Sequence, residues 1–524
     1  MTEQNDRFSW GEAIRVYSRP EVITMLFLGF SAGLPLALIF GTLSVWLNEA
    51  GIEKATVTFF SWAALGYSFK FIWAPLVDKL PLPWLRRLLG RRRSWLLFSQ
   101  LGIIAAICFM SFVNPASGDE LRLTMIALGA VTLGFASATQ DIVIDAYRIE
   151  TGSVTLQPVM SSMYSGGYRL GMIVAGAGAL YLASFWGSTP EDYHYYAWRN
   201  TYLVMALCGL VGVVTTLVIS EPVTALASGD YSNTDYSRFF VLFLCSVSIF
   251  VLAFVKSASM VIDIKLLLSS SIVNGTLSSV VAEATRLLLA SVCAIAAAWL
   301  LLKAGVANKQ MVKEAYIAPV KDFFSRYSFK VVLLLLLLIG FYRVSDIVMG
   351  VVANLFYQDM GYSKEEIANA SKAFGLVMII VGGFIGGVLA LRIGVMRLLF
   401  LGALLAAATN ILFMLLAETG YNIWMLYTVI AADNLSSGLA LSAFIAFLSG
   451  LTSVSFTAMQ YAIFSSLMTL MPKIIGGYSG TIVQTVGYSN FFLITALMGL
   501  PVLILVWLAG HHLSLNAHIS ENSD

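Results

Sequence analysis

The chain has 524 residues, 59% of them hydrophobic and 11% charged, with a mean hydropathy of +0.83. Soluble domains run at about 45–50% apolar and about 25% charged, so a water-facing surface cannot be built here and lipid must be the main solvent. The net charge of +2 excludes a basic nucleic-acid surface.

Apolar runs predict crossings over 22–47, 57–77, 94–113, 122–147, 159–186 and 199–219. A further pair falls near 237–256 and 280–302, and six more near 331–357, 365–391, 395–416, 422–448, 456–472 and 482–509. The expectation is an all-α polytopic membrane protein of about 14 transmembrane helices. The first run is too long for a signal h-region and lacks a cleavage-like site, so the chain reads as uncleaved. Lys and Arg are roughly twice as abundant in the connections on the N-terminal side, which places both termini in the cytoplasm. The cysteines Cys108, Cys208, Cys245 and Cys293 stand inside apolar runs without metal-ligand spacing and read as packed hydrophobes.

An internal repeat organises these crossings. Residues 47–57 (LNEAGIEKATV) and 357–367 (YQDMGYSKEEI) each follow a long first helix, with Gly51 matching Gly361 and Lys54 matching Lys364. Two six-helix halves joined by an inner linker are the plan of a major-facilitator transporter with alternating access. The predicted domains are therefore an N-terminal bundle at 1–222, an inserted helix pair at 223–305 and an amphipathic cytoplasmic linker at 306–330. A C-terminal bundle at 331–510 and a tail at 511–524 complete the chain. The loop Asp78-Lys79, then Gly90-Arg91-Arg92-Arg93, is similar to the superfamily's signature loop, with its first glycine replaced and its spacer stretched. Asp78, with Arg91 and Arg92, is the candidate cytoplasmic gate, pairing across the halves; the alternative is an ordinary positive-inside loop.

Ionisable residues at bilayer depth cost about 2.5–3.5 kcal/mol or more, so each is a functional hypothesis. At 1.5 Å rise per residue, Lys70, Asp141 and Arg169 are expected to share one layer. Asp141 and Asp145, at i and i+4, share a helix face and raise each other's proton affinity unless a cation intervenes. They are the candidate proton-coupling pair, with Asp145 the one nearer Arg148 and solvent; a static ion pair with Lys70 or Arg169 is the competing reading. In the second half, Arg343 is expected near the midplane with Asp433 as its counter-ion. Lys70, Arg169 and Arg343 suit an anionic substrate, and Asp346, Asp433 and the polar neighbours Gln140 and Asn434 join the substrate-binding candidates.

Small residues at Gly29/Gly33, Gly167/Gly171 and Gly382-Gly383/Gly386-Gly387 predict close helix contacts. Aromatics crowd the second crossing (Trp62, Tyr67, Phe69, Phe71, Trp73) and the start of the eleventh (Phe456, Tyr461, Phe464), as membrane core or as stacking faces for a sugar. His511 and His512 read as solvated ends. No P-loop, H-E-x-x-H, G-x-S-x-G or Cys/His cluster appears. The expectation is a protein that is no enzyme and carries no cofactor or metal.

Several stretches together resemble the AmpG family of muropeptide permeases, in the peptide/acetyl-CoA transporter group of the major-facilitator superfamily. They are LGFSAGLPLAL (28–38), SFKFIWAPLVD (68–78), ATQDIVIDA (138–146), GYRLGM (167–172), APVKDFF (318–324) and DNLSSGLALSAFIAFL (433–448). The resemblance implies a symporter of the bacterial inner membrane that imports anhydro-muropeptides, anionic sugar-peptides, with protons for cell-wall recycling. Importers of other bulky anions, such as siderophores, and a non-transporting scaffold or sensor are the alternatives.

Overall fold

A computed structural model describes residues 8–53, 67, 69–117, 120–189, 191–223, 231–258 and 275–521. Every regular element among them is helical. Thirteen of these helices are long and apolar enough to cross a membrane. The expected second crossing, 57–77, lies mostly outside the described residues, as do Lys54 and Trp62.

The chain forms two compact units. One comprises Met1–Asp78, Leu82–Ala225 and Phe323–Asp524; the other comprises Lys79–Pro81 with Leu226–Asp322. The first unit opens with the short helix α1 (Trp10–Arg15). Ser9 caps it, and its backbone N–H and hydroxyl hold the Glu12 carboxyl below the usual carboxylate range. The first half continues through α2 (Pro20–Glu49), α3 (Ala74–Lys79), α4 (Arg91–Ser111), α5 (Glu120–Thr151), α6 (Val154–Phe185) and α7 (Tyr195–Val218).

The second unit holds α8 (Asn233–Lys256) and α9 (Ala284–Lys303), packed on each other. Arg286 joins them, donating to the Phe254 carbonyl at 2.7 Å with its guanidinium 3.8 Å over the Phe254 ring. This unit runs past residue 305 to Asp322, and Lys79 Nζ lies 3.7 Å from Glu314 Oε2 within it. The next helix, α10 (Ala318–Arg326), begins in the second unit and ends in the first.

The second half comprises α11 (Phe329–Asp359), α12 (Lys364–Ile393), α13 (Val395–Thr419), α14 (Ile423–Leu451), α15 (Thr457–Gly476) and α16 (Ser479–Glu521), the last made of two helical stretches kinked at Gly487, φ +77°. It departs from the sequence reading in two places. The helix α11 is broken at Tyr342–Arg343, after Gly340, so that Arg343 caps the segment Val344–Asp359 instead of lying mid-helix. The last helical segment continues to Glu521, past the expected end near residue 509; His511 and His512 are exposed, as expected, and the His511 ring lies 6.2 Å from that of Trp507.

The internal repeat is visible in the backbone. After α2, the Ile52 N–H returns to the Leu47 carbonyl around Gly51 at φ +79°; after α11, the Tyr362 N–H returns to Tyr357 around Gly361 at φ +86°. Both are left-handed helix stops that favour glycine. The 3₁₀ turns Val154–Leu156 and Val454–Phe456 likewise occupy matching places ahead of the fifth and eleventh helices of the bundle plan.

Glycines fix the helix pairs. A Cβ on Gly167 would stand 1.9 Å from the Leu26 carbonyl oxygen, and one on Gly33 would stand 2.0 Å from that of Tyr168. The helices α2 and α6 therefore touch backbone to backbone, which sets where Tyr164, Tyr168 and Arg169 emerge. In the second half a Cβ on Gly382 would lie 2.2 Å from the Leu435 carbonyl oxygen, drawing α12 against α14 in the same way. The two halves meet along α6 with α12 and α14, and along α5 and the Lys70–Ile72 turn with α15.

Candidate functional site

The first-half site is built on the buried end of α5. Asp141 and Asp145 are each only 9% exposed, and Lys70 8%. Lys70 pairs with Asp145 at 3.5 Å, not with Asp141. Asp141 instead accepts a hydrogen bond from the Tyr164 hydroxyl at 3.2 Å. The expected common layer of Lys70, Asp141 and Arg169 is thus split, because the 3₁₀ turn Lys70–Ile72 presents the lysine one helical turn further along α5. Asp145 is no more solvated than Asp141, because Arg148, fully buried, covers it at 3.4 Å. Gln140 is also fully buried; its carbonyl accepts from Ser31 at 3.3 Å, which ties α5 to α2.

Aromatic residues of the second crossing support this site by packing. The Tyr67 hydroxyl donates to Ser137 at 2.6 Å, and the Trp73 ring N–H donates to Thr139 at 3.2 Å. Trp73 also stacks at 4.5 Å on Phe135.

Across the seam, Arg343 pairs with Asp346 at 2.6 Å, one turn along its own helix. Asp433 is not its counter-ion. The break in α11 turns Arg343 onto the first turn of the following segment, and among the described residues Asp433 accepts from Thr409, at 3.4 Å. Asn434 donates back to the Ile430 carbonyl. Arg169 of α6 makes no hydrogen bond or ion pair with any described residue, and Arg343 and Asp346 are the ionised groups acting on it. Arg169 is half-buried, with the Arg343–Asp346 pair within electrostatic reach.

A polar clasp closes the seam at the Asp78 end. Asp78 accepts from Arg92 Nη2 at 2.8 Å and from the Met459 backbone N–H at 3.1 Å. The latter is one of the unsatisfied donors in the first turn of α15, where a carboxylate is favoured by the helix dipole. Arg92 is fully buried and also grips Glu150, as Arg91 does at 2.9 Å. Thr457 of the second half sits on this pair, accepting from Arg92 at 2.7 Å and donating to Glu150 at 2.6 Å. Charges of the clasp are therefore balanced inside the first half, and its partners across the seam are neutral: a threonine hydroxyl and a helix N-terminus. The sequence reading missed Glu150, Thr457 and Arg148.

A second strap crosses the seam between α6 and α12. The Tyr17 hydroxyl donates to the Phe384 carbonyl at 2.9 Å and lies 2.9 Å from Ser162 Oγ, in space left by Gly387. Trp10 covers the Arg392 guanidinium at 4.2 Å.

These features agree with the comparisons to known proteins. A family model described as "Acetyl-coenzyme A transporter 1" matches residues 22–221. The "Putative transporter AmpG 4" of Rickettsia felis is 29% identical over 492 residues, covering 94% of this chain and 97% of the relative. The "Anhydromuropeptide permease" of Escherichia coli K12 is 29% identical over 494 residues, covering 94% of this chain and 80% of that protein. Among solved structures, the major-facilitator transporter FucP in its outward conformation superposes with a TM-score of 0.57 at 12% identity, covering 94% of this chain and 99% of FucP. The proton:xylose symporter XylE gives 0.56 at 11% identity, covering 95% and 96%. The chain is a membrane transporter of the major-facilitator fold, similar along nearly its whole length to AmpG-named transporters. Its relatives and fold are those of transporters of small molecules, not of enzymes.

Proposed function

We propose that this transporter imports anhydro-muropeptides from periplasm to cytoplasm in symport with protons, with the Asp78 end and both termini in the cytoplasm. The observation that carries the substrate is the 29% identity to the anhydromuropeptide permease over 94% of this chain. The charges support it: Arg169, with no partner among the described residues and within electrostatic reach of Arg343, offers the carboxylates of a peptide stem a cationic contact. Asp141 is the proton carrier, reached through Tyr164, while Asp145 and Lys70 form the ion pair that it perturbs. Asp346, Asp433, Asn434 and Gln140 shape the cargo site around these charges. Asp78, Arg91 and Arg92 form the cytoplasmic gate. The inserted helix pair at 223–305 is not needed for transport, and 306–330 is the amphipathic linker between the two bundles.

The matching "Acetyl-coenzyme A transporter 1" model supplies the one rival cargo with an observation behind it, a bulky anionic thioester. Uptake of labelled anhydro-muropeptide into proteoliposomes, with acetyl-CoA as competitor, tests the assignment. Saturable, gradient-dependent accumulation that excess acetyl-CoA leaves intact is expected. Uptake of acetyl-CoA without uptake of muropeptide would overturn it.

A further inference from the structure

The charge cluster on α5 and the seam between the halves share one side chain. Arg148 is fully buried and its guanidinium is divided between them. Nη2 lies 3.4 Å from Asp145 Oδ1. Nη1 donates to Gln157 at 2.7 Å and Ser161 at 3.2 Å in the first half, and to Ser449 Oγ of α14 at 2.8 Å in the second. The same guanidinium stands 5.2 Å over the ring of Tyr461 on α15, also in the second half. The guanidinium is a rigid planar fork, so one nitrogen cannot be displaced without displacing the other.

We propose that Arg148 is the positioning residue that couples the charge on Asp145 to closure of the cytoplasmic end. The inference rests on the proton-symport reading above. The groups facing Asp145 are Lys70 from the turn before α3, Asp141 and Arg148 on its own helix, Tyr164 of α6 and Tyr461 of α15. With Asp145 ionised, two cations share one carboxylate, and Arg148 is held with Nη1 on Ser449 and its face on Tyr461. A proton taken up at Asp141, one turn away on the same helix face, bonds to its carboxylate and cancels one of the two negative charges beside Lys70. Lys70 and Arg148 are then two cations with one counter-ion fewer, and their repulsion at low dielectric turns the fork off Ser449 and Tyr461. Two of the contacts that span the seam are lost together, and the end is free to open. Loss of the proton restores the pair and draws the halves back.

The test is a double-mutant cycle on the full chain in lipid nanodiscs. Spin labels go at Leu88→Cys and Val454→Cys, both exposed, one in each half at the clasp end, in a background with the four native cysteines replaced by alanine. Their distance distribution reports the open fraction. Asp145→Asn should raise the ratio of open to closed about tenfold or more, the size of one hydrogen bond to a charged group. Arg148→Met should raise it similarly, and the double variant should add nothing further. The pH dependence of opening seen in the wild type should flatten in Arg148→Met and stay flat in Arg148→Lys, whose single nitrogen cannot hold Asp145 and Ser449 together. Ser449→Ala supplies the same cycle with Asp145→Asn if Arg148→Met does not accumulate. Additive effects in either cycle, or an unaltered pH profile in Arg148→Met, overturn the proposal. If instead the wild type opens with no dependence on pH and takes up cargo without a proton gradient, it is the symport reading that fails.

Discussion

Thr457→Val isolates the contact that joins the halves at the clasp. Valine keeps the shape of threonine and leaves Arg92, Glu150 and Asp78 bonded to one another. It removes the hydroxyl that accepts from Arg92 at 2.7 Å and donates to Glu150 at 2.6 Å, both across the seam. A hydrogen bond to a charged group contributes about 1.5–3 kcal/mol. Arg92 and Glu150 retain each other in either conformation, so the two bonds together are taken at about 2 kcal/mol. That is roughly a 30-fold shift toward the state open at this end. Asp78 still holds the Met459 N–H, so closure is weakened but not abolished. The spin-label pair at residues 88 and 454 reads the shift directly. Thr457→Ser, which keeps the hydroxyl, should match the wild type. An unchanged open fraction in Thr457→Val, or equal effects of valine and serine, would refute the clasp as the element that holds the seam.

Three further variants test other parts of the structure. Gly167→Ala places a Cβ 1.9 Å from the Leu26 carbonyl oxygen and should cost about 1–3 kcal/mol or more in thermal unfolding, whereas Gly176→Ala, with nothing within 4 Å, should behave as the wild type. Equal stabilities would show that the α2–α6 contact is not what fixes the site. Tyr17→Phe loses the hydroxyl that bridges Ser162 and Phe384, about 1 kcal/mol, and should raise the open fraction about fivefold; no change would mean the strap carries no closing energy. Asp141→Asn fixes the neutral form and should retain counterflow of cargo while losing accumulation against a gradient. Normal accumulation would remove Asp141 from the proton path, and loss of both activities would make it a structural or cargo-binding residue.

Much of the scaffold was legible in the sequence because lipid imposes it. Apolar runs other than the second crossing, the glycine pairs and the Gly51/Gly361 correspondence appear among the described residues as helices, backbone contacts and matched helix stops. The charged residues were legible as a set, since any ionisable group in an apolar run stands out. Their pairing was not. Depth counted along straight helices put Lys70 beside Asp141, and a single 3₁₀ turn moved it to Asp145. Arg343 was matched with Asp433 by depth, yet the break at Tyr342–Arg343 gave it a partner three residues away. Glu150 and Arg148 stand at the end of a long helix, where nothing in the sequence marks them off from ordinary interfacial charges. Only the approach of Thr457, Ser449 and Tyr461, some 300 residues away in the chain, makes them the centre of the seam.

The central claim is that cargo and protons enter together. It is tested most directly in proteoliposomes with no imposed gradient, enclosing a pH-sensitive dye, by adding anhydro-muropeptide outside and recording internal pH alongside cargo uptake. The account predicts internal acidification that rises with cargo influx in the wild type and disappears in Asp141→Asn. Cargo influx with no change in internal pH, or the absence of influx in protein shown to be folded and inserted, would contradict it.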